Sequence, residues 1–269
     1  MMNENLWNNI KLLREKSPLV HNITNYVVMN NTANALLAIG ASPIMAHAHE
    51  EMESMVNICQ VLVVNIGTLD EYWATSMILA AKHANTLKKP WVLDPVGAGA
   101  TPYRNQVLTD LLKLQPTIIR GNASEILALA KHNTTNTKGV DSSAESSEAI
   151  EAAKVLNDKY GSVVCVSGAT DIILDNQREI HLKNGHELMS KITGMGCSAT
   201  AIVAGFAAVI PNKVDAVTTA MAILGVAGQL AAQDSKGPGS LQMHILDKLY
   251  NLTEEEFNST LKLQVERKQ

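Results

Sequence analysis

Aromatic side chains are scarce: Phe, Trp and Tyr together make up 4% of the 269 residues. A protein that stacks nucleobases along a basic groove needs more rings than that. Basic charge is scarce as well, with 22 Lys and Arg against 26 Asp and Glu and a formal net charge of -4. No Lys/Arg cluster stands out, so nucleic acid and anionic membrane are both poor partners. The cysteines are Cys59, Cys165 and Cys197, far apart, odd in number and without a C-x-x-C pair. That spacing argues against a disulfide framework or a cysteine zinc site, and it fits a reducing, cytoplasmic compartment. No uninterrupted apolar run reaches transmembrane length. The opening MMNENLWNNIKLLREKS reads as an amphipathic helix and not as a signal peptide. Neither a linker nor an internal repeat divides the chain, so residues 1–269 are expected to form one domain.

With 46% hydrophobic and 18% charged residues, the chain can bury a large core. Short β-branched apolar runs alternate with helical patterns. Strands are expected at residues 19–23, 42–46, 61–66, 91–94, 117–120 and 163–166. Helices are expected at 26–39, 50–59, 71–87, 103–114 and 147–160, the first of them ended by Gly40. The run at 61–66 is almost continuously apolar, as in a strand buried on both faces. This rhythm predicts an α/β fold with a mostly parallel central sheet between helical layers. The polar stretch 132–148 reads as a loop. Residues 170–174 and 179–182, joined through Asp175-Asn176-Gln177, read as an antiparallel hairpin at the sheet edge. After Gly196 the chain reads as helical to its end, with alanine-rich segments suited to close packing.

In an open parallel sheet, ligands sit beyond the carboxyl ends of the strands. Those positions hold Asn25, Met45, Asn65-Ile66-Gly67, Asp94-Pro95-Val96-Gly97, Arg120-Gly121-Asn122 and Ser167-Gly168. Polar residues and glycine end strands as ordinary turn chemistry, but six such groups on one edge favour a site. The sharpest local signal is Thr193-Gly194-Met195-Gly196-Cys197-Ser198, which leads into an alanine-rich helix. Glycines let a ligand approach the backbone, and the first N–H groups of a helix attract anions. An ordinary glycine turn before a core helix is the competing reading. No G-x-x-x-x-G-K-[ST] occurs, which excludes a P-loop.

Cys197 falls in the first helical turn, where the dipole should favour its thiolate. It is read as a proton acceptor or nucleophile, against the alternative of a small buried apolar residue. Cys59 and Cys165 are assigned to the core. Asp94 can hold magnesium beside phosphates. Glu125 is a second metal candidate, or else an acid favoured by its helix dipole. The fork of Arg120 suits phosphate, unless a neighbouring carboxylate claims it. His47 and His49 flank Ala48 without an evident third ligand and are read as loop residues, not a zinc site.

Taken together, the motifs resemble those of the hydroxyethylthiazole kinases. The matching stretches are His21-Asn22-Ile23-Thr24-Asn25, Ser42-Pro43-Ile44-Met45, Leu93-Asp94-Pro95-Val96-Gly97-Ala98, Arg120-Gly121-Asn122-Ala123-Ser124-Glu125, Lys138-Gly139-Val140-Asp141-Ser142 and Gly194-Met195-Gly196-Cys197, in the family's order. The resemblance implies a ribokinase-like three-layer α/β/α fold. It implies ATP-dependent, magnesium-dependent phosphorylation of 4-methyl-5-(2-hydroxyethyl)thiazole, by a homotrimer with sites between subunits. Under it, Asn25, Met45 and Gly194 are thiazole contacts, and Arg120 and Ser167 are ATP contacts. Gly194, Met195, Gly196 and Cys197 form an anion hole, Asp94 and Glu125 the metal environment, and Cys197 the catalytic group. Ser167 stands where Thr is usual, and Met195 where the residue between the glycines is often Thr. The related sugar kinases and hydrate dehydratases carry Asp near this glycine loop; Cys197 separates the chain from both. A non-catalytic thiazole sensor would have no use for the phosphate-directed residues.

Overall fold

The structure, a computed structural model, describes residues 2–133 and 145–267. The Lys138-Gly139-Val140-Asp141-Ser142 motif and most of the expected polar loop lie outside the described residues. The parallel strands are β1 (Leu19–Ile23), β2 (Ser42–Ile44), β3 (Val61–Asn65), β4 (Trp91–Asp94), β5 (Ile118–Asn122) and β6 (Val163–Ser167). Antiparallel additions are β7 (Asp171–Leu174), β8 (Arg178–Leu182) and β9 (Leu263–Arg267). All belong to one sheet in the order β2-β1-β3-β4-β5-β6-β7-β8-β9.

The helices, in chain order, are α1 (Met2–Lys16), α2 (Met29–Ile39), α3 (Met52–Ile58), α4 (Glu71–Thr86), α5 (Pro102–Leu112) and α6 (Ala123–Asn133). They continue with α7 (Glu145–Tyr160), α8 (Met195–Val209), α9 (Lys213–Ala231), α10 (Pro238–Asn251) and α11 (Glu254–Thr260). Strand alternation divides the core between the two faces. Val61, Val63, Val92, Ile118 and Cys165 face a layer built on α1, α2 and α8 to α11. Leu62, Val64, Leu93, Ile119 and Val164 face α3 to α7. Because both faces are covered, β3 is apolar at four consecutive positions. Trp91 is fully buried, and cutting such a ring to Ala costs about 3–5 kcal/mol.

Residues 213–234 include a 22-residue helix of the length and mean composition of a membrane span, although Asp215, Thr218, Thr219 and Gln229 interrupt its apolar run. Its apolar window is 83% buried inside the protein, where α9 covers the sheet. Small residues let α8 pack under the outer helices: a Cβ on Gly205 would lie 3.4 Å from Leu13 Cδ1 and 3.5 Å from Ile39 Cδ1.

Three expectations need correction. The second helix begins at Met29, not at residue 26, because residues 26–28 form a turn after β1. Cys59 is not inside a helix but caps the end of α3, although it is buried as expected. The chain is not helical to its end: β9 pairs antiparallel with β8. Leu263 and Val265 alternate onto the core while Gln264 and Glu266 face out. His47 lies in the loop after β2, as expected, while His49 opens a short 3-10 helix (His49–Glu51); they stack on Trp73 at 3.9 Å and on Tyr72 at 3.8 Å.

Candidate active site

The parallel register brings the candidate residues to one edge. Asn65 pairs with Asp94 across β3 and β4, and Asn122 with Ser167 across β5 and β6. Asn25 lies two residues beyond β1. Helix α8 packs on β1, β3 and β4 and delivers its N-terminus to the same edge.

At that N-terminus Gly194 caps the helix in the left-handed region, with φ at 78°. A Cβ there would stand 2.4 Å from Val28 Cγ1, so both backbone shape and space demand glycine. The Met195 N–H reaches Ile192 O at 3.4 Å and the Ser198 N–H closes on Gly194 O at 2.9 Å. Among the described residues, no acceptor meets the N–H groups of Gly196 and Cys197, and no side chain caps the helix. These two donors therefore face the edge with the helix dipole behind them.

A hydrogen-bonded chain runs from the thiol to a buried carboxylate. Asn25 Nδ2 donates to Cys197 Sγ at 3.5 Å and to Asn65 Oδ1 at 2.8 Å. The Gly67 N–H also donates to Asn65 Oδ1, at 3.0 Å, which fixes the orientation of the Asn65 amide. Asn65 Nδ2 then donates to Asp94 Oδ2 at 2.7 Å, and Thr200 Oγ1 donates to the same oxygen at 2.7 Å. Gly67 must lack a side chain here, since a Cβ would fall 2.5 Å from Asn25 Nδ2.

Burial, partly offset by the Arg120 guanidinium and the Thr200 hydroxyl, pushes the Asp94 carboxyl up to about 6. The Cys197 thiol is also pushed up, first by burial and then by the Asp94 charge, against the lowering effects of Asn65, Asn25 and Arg120. The expectation of a favoured thiolate is thereby overturned. Desolvation and the neighbouring Asp94 charge dominate at this thiol.

Arg120 donates through Nη1 to Gly196 O at 3.1 Å, and its buried Nε has no partner. No ion pair among the described residues includes it, so the alternative of a salt-bridged arginine is not realised. Gly196 makes room for this arrangement, because a Cβ would meet Arg120 Nη1 at 2.9 Å. Arg120, Ser167, Asp171, Met195 and Gly196 line a cavity of about 660 Å³. Ser167 Oγ donates to Gly121 O at 3.2 Å. Asp171 accepts the Gly168 N–H at 3.1 Å, and burial lifts its carboxyl to about 6.

Glu125 does double service. Its Oε2 accepts the Asn122 N–H at 2.8 Å while Asn122 Oδ1 accepts the Glu125 N–H at 2.9 Å, a reciprocal cap on α6. Its Oε1 accepts the Gly97 N–H at 3.1 Å, tying the loop after β4 to the loop after β5. The Glu125 charge also raises the Asp94 carboxyl. Asp94 Oδ1 has no donor among the described residues, and each Glu125 oxygen keeps a lone pair. Oxygen donors of this kind fit a hard divalent cation. Among the described residues, the three-ligand cluster of metal-binding type is Glu179, His181 and Glu266, on the opposite edge of the sheet.

Met45 stands apart from this network. It follows the edge strand β2, is half-buried, and does not line the cavity beside Arg120. Sequence reading named Asn65 among the strand-end positions without giving it a role, and it left Thr200, Arg104 and Asp171 out. Arg104 donates to the carbonyls of Ile66, Val96 and Gly67, bracing the loops after β3 and β4. The available signals were a polar residue ending an apolar strand at Asn65 and a hydroxyl one turn beyond Gly196 at Thr200.

A mostly parallel sheet in three layers, with a glycine-capped helix N-terminus beside a cavity of about 660 Å³, defines a ribokinase-like fold. Residues 10–255 match the model of the Hydroxyethylthiazole kinase family. The hydroxyethylthiazole kinase of Syntrophus aciditrophicus is 54% identical over 261 residues, covering 97% of each chain. The structure of a hydroxyethylthiazole kinase protein from Pyrococcus horikoshii superposes with a TM-score of 0.91 at 40% identity, covering 98% of this chain and 99% of that one. The pyridoxal kinase of Staphylococcus aureus, solved with AMP-PCP, shares the fold alone, with a TM-score of 0.65 at 14% identity, covering 93% and 98%. The chain belongs to the hydroxyethylthiazole kinase family.

Proposed function

We propose that this chain transfers the γ-phosphoryl group of ATP to the hydroxyethyl oxygen of 4-methyl-5-(2-hydroxyethyl)thiazole, a step of thiamine salvage. The observation that carries the reading is the meeting of Cys197 and Asn25 with two unpaired N–H groups of α8, beside a cavity lined by Arg120 and Ser167. The alcohol oxygen forms the new bond to Pγ as the bond from Pγ to the β-phosphate oxygen breaks, and ADP leaves. Transfer of this kind depends chiefly on positioning and on charge stabilisation. The N–H groups of Gly196 and Cys197 hold the phosphoryl oxygens, within the anion hole formed by residues 194–197. Arg120 and Ser167 bind ATP. Asn25, Met45 and Gly194 bind the thiazole; Cys197 orients the alcohol and, in the minor population that carries a thiolate, accepts its proton late.

Magnesium, when bound, spreads the charge that builds on the phosphoryl oxygens. Asp94 and Glu125 would hold it. The protein works in the cytoplasm as one ribokinase-like domain per subunit, in a homotrimer with sites between subunits. The exposed apolar surfaces of Tyr26 (59%) and Val27 (61%), next in the chain to Asn25, support shared sites.

The test is ADP release from ATP with and without the thiazole alcohol, followed by phosphorus NMR of the product. ATP use that ignores the alcohol refutes the reading. The same assay with a pyrimidine alcohol and a sugar separates this substrate from its rivals.

A further inference from the structure

We propose that Asn65 is a positioning residue that couples the alcohol side of the site to its phosphoryl side. The inference rests on the kinase reading above. Asn65 is 1% exposed, and its amide is committed at both ends. Oδ1 takes Asn25 Nδ2 at 2.8 Å and the Gly67 N–H at 3.0 Å, and Nδ2 gives to Asp94 Oδ2 at 2.7 Å.

The buried asparagines outside the site bond chiefly to main chain. Asn22 donates to Val20 O and Ile44 O, Asn157 donates to Ser162 O, and Asn184 accepts the Lys262 N–H and donates to Thr260 O as well as to Gln229 Oε1. Such bonds to main chain are those of a structural asparagine. Asn65 joins two side chains instead, and both belong to the proposed chemistry. Through Asn25 it aims an N–H at Cys197 Sγ. Through Asp94 it helps decide which carboxylate oxygen is free. Thr200 Oγ1 shares Oδ2 at 2.7 Å, so that oxygen is filled twice and Oδ1 is left for the pocket.

Loss of Asn65 releases both ends at once. Asp94 keeps only Thr200 and can rotate, and Asn25 loses the acceptor that holds its amide. Misplacement of reacting groups by about 1 Å costs on the order of 10²-fold in rate. Thr200→Val releases one end only and should cost less.

The experiment measures kcat, both KM values and the unfolding midpoint for the wild-type chain, Asn65→Ser, Thr200→Val and Thr200→Ser. Asn65→Ser is expected to lower kcat about 10²-fold, with both KM values within about 3-fold of wild type. Thr200→Val is expected to lower kcat about 10-fold, and Thr200→Ser, which keeps the hydroxyl, to restore it. Folded Asn65→Ser protein with wild-type kcat overturns the inference, as does a kcat loss that only tracks the unfolded fraction. Should Asn65→Ser fail to fold, the near-isosteric Thr200→Val decides: unchanged kcat overturns the shared cradle on Asp94. Wild-type turnover reports separately on the kinase reading, and its absence sinks both.

Discussion

Gly194→Ala tests the helix mouth most directly. Gly194 sits at φ 78°, a left-handed conformation that costs a residue with a Cβ roughly 1–2 kcal/mol. The added carbon would also lie 2.4 Å from Val28 Cγ1 and 3.1 Å from Val28 Cβ. Carbon atoms rest about 3.5–4.0 Å apart, so more than an ångström of room is missing. Overpacking of this size costs about 1–3 kcal/mol. The two terms together predict a stability loss of about 2–5 kcal/mol. Relief requires α8 to draw back, which moves the N–H groups of Gly196 and Cys197 and lowers kcat about 10²-fold. Chemical denaturation and steady-state kinetics on the same preparation measure both. Val28→Ala in the Gly194→Ala background should return part of the stability, because it removes the closer contact and leaves the dihedral strain. Gly196→Ala should behave differently. Its Cβ meets Nη1, at the far end of the long Arg120 side chain, at 2.9 Å; that end can shift without moving backbone, so the fold survives and the KM for ATP rises, by roughly 10-fold or more. Wild-type stability and turnover in Gly194→Ala would refute the reasoning.

Cys197→Asp should retain activity, since a carboxylate can also accept the Asn25 N–H and the alcohol proton; a folded but wholly inactive variant counts against the role of Cys197. Asp171 has a folded-state carboxyl lifted to about 6 from 3.8 by burial, so its contribution to stability is fully present below pH ~4 and is lost as pH rises through ~6. Asp171→Asn should therefore gain stability over wild type at pH 8 by up to about 3 kcal/mol and gain little at pH 4, measured by denaturant titration at both values. Asn122→Ala removes the side-chain half of the reciprocal cap on α6, the Oδ1 acceptor of the Glu125 N–H, and should cost about 1 kcal/mol, seen as a lower unfolding midpoint; an unchanged midpoint refutes the capping role.

Much of the fold was legible because its strongest signals are local. The apolar run at β3 declares a strand covered on both faces. The hairpin of β7 and β8 is announced by Asp175, whose Oδ1 accepts the N–H groups of Gln177 and Arg178. Strand β9 escaped because its period-two signal spans only Leu263 and Val265, directly after a capped helix with the Thr253 and Glu256 box. At the site, sequence supplied the residues at strand ends but not how they bond. Thr200 and Asp94 are 106 positions apart, and Asn25 and Cys197 are 172 apart. Helix position alone suggested an acidic thiol. Only the fold reveals that Asp94 lies close enough, and water is excluded well enough, to reverse the sign.

That reversal ranks the residues of the proposed reaction. A thiol whose ionisation is opposed by burial and by Asp94 holds its proton through most of the neutral range. In a loose phosphoryl transfer the alcohol proton leaves late, so a strong base adds little and donors to the phosphoryl oxygens add much. Arg120 supplies such donors: its Nε is buried and unpaired, and no carboxylate claims the guanidinium. It follows that Arg120→Gln should cost more in kcat/KM than Cys197→Ser. The expected loss is about 10²–10³-fold for the arginine, as for removal of one preorganised donor, and under about 10²-fold for the thiol, the lower limit typical of a general base. Parallel kinetics on the two variants decide the order. A larger loss in Cys197→Ser than in Arg120→Gln would mean that proton removal, not charge stabilisation, limits the step, and the ranking drawn from the buried thiol would be wrong.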